Sequence, residues 1–148
     1  MKKLYKSLPA GIRGFTLIEL LVVIGVITIL AAIVLVAVNP GRQFSSARDT
    51  QRRADLYSLT NAIYQFAAEN NGNLPDDANF PTTATCVGTG AGCFDLSADL
   101  VPTYIAAMPE DPNTGSPADT QYSIYEDANG RVVASASGEL TATITVTR

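Results

Sequence analysis

The chain has 148 residues, 47% hydrophobic and 16% charged, with a formal net charge of −4 and no histidine. That length suits one domain and is marginal for two. The missing histidine removes the commonest general base, and with only two cysteines, not in CxxC spacing, it argues against a zinc site.

The charge is split along the chain. Lys2, Lys3, Lys6 and Arg13 fall in the first thirteen positions, and all fourteen acidic residues lie from Glu19 onward. Without residues 1–14 the net charge is −8. From Leu20 to Val38 nineteen residues run without a charge, interrupted only by Gly25 and Thr28. At about 1.5 Å per residue this run matches the roughly 30 Å hydrocarbon core of a bilayer. A basic start before an apolar run holds that start on the cytoplasmic side and sends the acidic remainder outward. A cleaved secretory signal has an apolar stretch of only about 7–15 residues and a small-residue cleavage site. Here the stretch is longer, and "VLVAVNPGRQF" holds no such site. An uncleaved anchor fits the length but leaves Glu19 unexplained, because a carboxylate inside an apolar span costs a few kcal/mol. The plain reading is that Glu19 lies near the interface and stays wet.

The stretch "GFTLIELLVVIGVI", residues 14–27, resembles the class III signal of type IV pilins and of the related pseudopilins of type II secretion. The resemblance covers residues 11 to about 33. It rests on a glycine–aromatic junction, a glutamate five residues after that glycine, and an unbroken apolar run behind it. It implies that a prepilin peptidase cuts between Gly14 and Phe15 on the cytoplasmic side, that the new amine of Phe15 is methylated, and that Glu19 serves assembly. In a helix, Phe15 and Glu19 at i and i+4 share a face. Glu19 would then neutralise its own amine or that of a neighbouring subunit, and either pairing is stronger in a low-dielectric bundle than in water.

Asn39-Pro40-Gly41 interrupts the helix, since proline lacks a donor and clashes with the preceding turn. The expectation is a kink or a locally melted segment rather than an end, giving one helix from Phe15 to about Asn70, roughly 80 Å long. Past the interruption, Leu56, Leu59, Ile63, Phe66 and Ala67 fall on one stripe with Tyr57 and Tyr64 beside it. "ENNGN", residues 69–73, stops the helix, with Gly72 as a left-handed cap. Arg42, Arg48, Arg52 and Arg53 cluster with Asp49 and Asp55, either as a solvated face or as partners for acidic heads of neighbouring subunits.

Residues 73–118 read as loop, with a short apolar cluster of Leu96, Leu100, Val101, Tyr104, Ile105 and Met108 forming a helical turn against the head. Cys86 and Cys93 can close a small ring in an oxidising compartment; unlinked thiols are the alternative. "PEDPNTGSPADTQYSIY" resembles the turn before the C-terminal strands of pseudopilins, where related proteins bind calcium. Asp111, Asn113 and Asp119 offer hard oxygen ligands, but the spacing fails the EF-hand template and the segment is also a good turn. The end of the chain alternates as three short strands, with Tyr122, Ile124 and Glu126, then Val132 and Ala134, then Leu140, Ala142, Ile144 and Val146 on one side. "DANG" and "SASGE" supply the turns.

The fold class expected is α+β: a long N-terminal helix, apolar then amphipathic, packed by a small C-terminal antiparallel sheet, the pilin fold. The divisions are a leader at 1–14, a membrane or filament-core helix at 15–38, an amphipathic helix at 39–72 and a loop-rich β head at 73–148. With no nucleotide-binding glycine loop and no nucleophile motif, the chain reads as non-enzymatic. The resemblance implies a structural subunit of a type IV pilus-like filament. Its implied partners are prepilin peptidase, other copies or related pilins, an inner-membrane assembly platform and, before assembly, the lipid bilayer. It would lie in the cytoplasmic membrane with its head outside, then in an extracellular or periplasmic filament. A calcium-binding secretion pseudopilin is the alternative, and a membrane-anchored binding module that never polymerises is the second. So anionic a head is a poor binder of nucleic acid.

Overall fold

The computed structural model describes residues 14–148, so Lys2, Lys3, Lys6 and Arg13 lie outside the described residues. The chain up to Asn39 and the chain from Pro40 onward form two separate units. In the first unit, α1 spans Leu17–Ala37, built from leucine, isoleucine, valine and alanine with Gly25 the one strong helix weakener. None of its residues is buried within the chain. Val38 leaves the helix with φ −94° and ψ 102°, its N–H still bonded to the Val34 carbonyl at 3.0 Å.

The second unit opens with α2, Pro40–Glu69. The interruption expected from the sequence falls on Val38 and Asn39, which are non-helical, so that α1 ends before the proline and α2 begins on it. Residues preceding proline disfavour the helical region, which falls on Asn39, and Pro40 as a first helical residue has no N–H to leave unsatisfied. The buried stripe of α2 contains Leu56, Leu59, Ile63 and Ala67 as expected, together with Asp49, Arg52, Thr60 and Ala62. Phe66 is only partly buried, and Tyr57 is 47% exposed. The helix ends where expected: Gly72 takes positive φ at 92°, and Asn71 before it is left-handed as well, at φ 60°. The Gly72 N–H then closes the turn on the Ala67 carbonyl at 2.8 Å.

Four strands form one antiparallel sheet in sequence order: β1 Thr85–Cys86, β2 Tyr122–Glu126, β3 Val132–Ser137 and β4 Thr143–Thr147. Registers such as Ile124 opposite Ala134 and Ala136 opposite Ile144 put Tyr122, Ile124, Val132, Ala134, Ala136, Ile144 and Val146 into the core, with the threonines of β4 exposed. Leu140 and Ala142 do not join this face. They lie in the bend before β4, and Leu140 is 50% exposed, because the turn runs from Gly138 through Ala142. The β2–β3 turn closes on Asp127, whose carboxylate accepts the N–H groups of Asn129 and Arg131 at 2.8 and 3.0 Å.

Helix α2 packs across β3 and β4 and contacts α3, Ser97–Leu100. The core has two clusters. Leu59, Ile63, Phe80, Val87, Leu96, Leu100, Ile124 and Val132 form the larger; Leu56, Tyr122, Ala134, Ala136, Ile144 and Val146 form the other. Each fully buried leucine or isoleucine contributes about 1.5–3 kcal/mol. Leu96, the N-cap of α3, and Leu100, its last residue, are fully buried, while Tyr104, Ile105 and Met108 pack partly against the same cluster. Tyr122, at 0% exposure, satisfies its phenol by donating to Asp55 Oδ2 at 2.7 Å. Burial and the Asp55 carboxylate both push that phenol's pKa up.

Candidate functional site

The junction of Gly14 and Phe15 lies just outside α1. Both residues are exposed, Phe15 to 78%, and Thr16 is extended at φ −78° and ψ 151°. The boundary is set by reciprocal capping: Glu19 N–H donates to Thr16 Oγ1 at 3.2 Å, and Thr16 N–H donates to Glu19 Oε2 at 3.4 Å. A carboxylate in the first turn also favours the positive end of the helix dipole. The helix thus begins two residues later than a pairing of Phe15 with Glu19 at i and i+4 requires. Glu19 faces the amide and hydroxyl of Thr16, with Phe15 the next residue back. Gly14 and Phe15 lie outside the helical ladder.

Behind this junction α1 spans 21 residues, about 31 Å by the standard rise. Its apolar side chains are exposed from Leu17 to Val36, many of them by more than half. Such a surface exceeds what a soluble chain leaves bare. Its polar hydroxyl is satisfied internally, Thr28 Oγ1 donating to the carbonyls of Ile24 and Gly25 at 2.6 and 3.0 Å. With its backbone groups paired along the helix, α1 is long and apolar enough to cross a membrane.

The head holds the other candidate residues. Cys86 and Cys93 form a disulfide. The ring they close lies on the 117–120 segment: Gly90 N–H donates to the Ala118 carbonyl at 2.8 Å, Thr89 N–H to Pro117 at 3.0 Å, and Thr120 N–H to Val87 at 2.9 Å. A Cβ on Gly90 would stand 2.6 Å from the Ala118 oxygen, so the ring needs glycine there. Strand β1 begins this ring; two residues long, it carries no periodicity that a sequence reading can find.

Of the oxygen donors considered for calcium, Asp111 is 8% exposed and Asp119 lies eight residues on, and the two are engaged separately. Asp111 Oδ2 accepts Arg52 Nε at 2.5 Å, and Oδ1 accepts Arg52 Nη2 at 3.2 Å and the N–H groups of Asn113 and Thr114 at 2.9 and 3.0 Å. Asp119 accepts the backbone and side-chain N–H groups of Gln121, both at 2.9 Å. Asn113 contributes its backbone N–H to Asp111.

The arginine cluster divides: Arg42 and Arg53 lie on the exposed face, whereas Arg48 and Arg52 are paired within the chain. Arg52 is 4% exposed, and besides Asp111 its Nη1 donates to Asp49 Oδ1 at 2.8 Å and to Glu139 Oε1 at 3.1 Å. Arg48 pairs with Glu139 at 2.5 Å. Asp49 in turn accepts the N–H groups of Glu139 and Leu140 at 2.8 and 2.9 Å. The cluster therefore ties α2 to the 111–120 loop and to the β3–β4 turn within one chain, while Arg53 stays exposed. Burial pushes the Asp111 carboxyl up, but Arg52 and the amides of Asn113 and Thr114 outweigh it and hold the pKa at about 2. Arg48, Ser45 and Arg52 hold Glu139 at about 2 as well. The sequence signal for it is the i, i+3 spacing of Asp49 and Arg52; their other partners lie 59 to 92 residues away.

Residues 10–35 match the family model described as the prokaryotic N-terminal methylation motif. No curated protein matches the chain, and no solved structure does. The matched segment contains the exposed Gly14–Phe15 junction, the Thr16–Glu19 capping box and most of α1. The motif implies processing by a prepilin peptidase and pilin-type assembly, and with the apolar helix it fits a membrane-anchored precursor of a structural, generally non-enzymatic kind. The chain carries the class III signal segment of type IV pilin-like proteins, on an α+β arrangement of apolar helix, second helix and small antiparallel sheet.

Proposed function

We propose that the chain is a structural subunit of a type IV pilus-like filament. Prepilin peptidase cuts between Gly14 and Phe15, the Phe15 amine is methylated, and the subunit waits in the cytoplasmic membrane with its anionic head outside. An assembly platform then draws it into a fibre in which α1 is covered by other copies. The observation that supports this reading is an apolar helix with no buried residue whose one carboxylate, Glu19, sits in the first turn beside the exposed Gly14–Phe15 junction. Cutting there creates a cation within reach of Glu19. At about 4 Å and an effective dielectric near 20, such a pair gains about 4 kcal/mol, enough to select a subunit in register. The Cys86–Cys93 ring favours the pilin, whereas the Pro-rich 108–117 segment favours the alternative, a secretion pseudopilin, which would use the same helix in the same way.

Glu19→Ala tests the assembly role. Cleavage and methylation are expected to persist, because the junction itself is untouched. Filaments recovered by shearing and counted by electron microscopy are expected to fall at least about tenfold, the effect of losing about 1.4 kcal/mol or more. Undiminished filaments would refute the role given to Glu19.

A further inference from the structure

A calcium site between α2 and the C-terminal strands, as the pseudopilin resemblance implies, needs about six to eight oxygen ligands turned toward one point. The residues present do not fit it. All four carboxylate oxygens of Asp111 and Asp119 already accept hydrogen bonds from protein donors. The loop carbonyls are engaged as well: Asp111, Pro117, Ala118, Asp119 and Thr120 each accept a backbone N–H, at 2.8 to 3.1 Å. At the place where negative charge gathers stands a guanidinium. Arg52 contacts Asp49, Asp111 and Glu139 at 2.5 to 3.2 Å while only 4% exposed.

We infer that Arg52 is the resident cation of this head, holding the 111–120 loop and the β3–β4 turn against α2 in the role a divalent ion would otherwise fill, so that the head folds without calcium. The fork geometry suits the task. A planar guanidinium serves Asp111 through Nε and Nη2 and reaches Asp49 and Glu139 with Nη1, whereas a lysine ammonium offers one compact centre. A second anchor, the glycine-rich disulfide ring bonded to Pro117 and Ala118, fixes the far side of the same loop.

The test uses the full chain in detergent micelles and follows thermal unfolding by far-UV circular dichroism. With excess chelator and then with millimolar calcium, the midpoints are expected to agree within about 1 °C. Arg52→Gln is expected to lower the midpoint by on the order of 10 °C, through Asp49 and Asp111 left without their cation while Glu139 keeps Arg48. Arg52→Lys is expected to fall between, because charge survives and the fork does not. A calcium-dependent rise of several degrees in the unmodified chain would overturn the inference, and that measurement stands even where a variant fails to fold. Equal midpoints for Arg52→Gln and the unmodified chain would overturn it too.

Discussion

Replacing Asp49 by alanine probes the joint between α2 and the β3–β4 turn. Asp49 is 6% exposed; it accepts the amides of Glu139 and Leu140 at 2.8 and 2.9 Å, that of Thr141 weakly at 3.4 Å, and Arg52 Nη1 at 2.8 Å. Hydrogen bonds to a charged group contribute about 1.5–3 kcal/mol each, and removing one partner of a buried ion pair costs about 3–5 kcal/mol. Two circumstances reduce the sum. Residues 139–141 are exposed, so water can replace the lost acceptor, and Arg52 keeps Asp111 and Glu139. We predict a loss of about 3 kcal/mol. For a unit of about 110 residues the unfolding entropy is about 0.23 kcal/mol per kelvin, so the midpoint falls by about 13 °C. Asp49→Asn retains one oxygen and is expected to lose about half as much. Thermal and urea unfolding of the full chain, followed by circular dichroism, measure both. A loss under about 1 kcal/mol for Asp49→Ala would mean that the joint is a surface contact and that the burial argument fails.

Three further outcomes follow from the same geometry. Asp111 and Glu139 are held at about 2, against ordinary values of 3.8 and 4.5, so the unfolded chain binds protons first. Their stabilisation is whole above pH 4.5 and drains away as pH falls toward about 2; a urea midpoint that rises below pH 4 contradicts this. Gly90→Ala places a Cβ 2.6 Å from the Ala118 oxygen and should cost about 1–3 kcal/mol in urea unfolding, whereas Gly92→Ala, with open space but φ 90°, should cost about 1 kcal/mol. Tyr64 accepts the Val132 N–H at 3.1 Å and donates to the Arg148 carbonyl, so Tyr64→Phe should lose about 1 kcal/mol; an unchanged midpoint contradicts that bond's contribution.

What the sequence makes legible here is local. Period-two alternation reveals β2, β3 and the Ile144–Val146 part of β4, and helical spacing picks out Leu56, Leu59, Ile63 and Ala67, because each pattern repeats within one element. The Gly14–Phe15 junction and Glu19 are legible for the same reason, lying within six residues of one another. Features made by distant partners are not legible. Arg52 looks like any helix-surface arginine until Asp111 and Glu139 close over it. Strand β1 exists because β2 offers it an edge and the disulfide ring holds it there. Leu140 continues the alternation on paper, yet the Asp49 carboxylate captures its amide and bends the chain before β4 begins. At the helix break, the proline is visible in the sequence, but only the cap at Val38 shows that α1 ends there rather than bending.

The amino terminus of protein isolated from its native membrane or from sheared filaments tests the central claim most directly. Intact mass and terminal-peptide mass spectrometry are expected to find a chain that begins at Phe15, carries a methyl group on that amine and lacks residues 1–14. A chain that still begins at Met1 would contradict the account, because the cation that Glu19 is there to meet would never have been made.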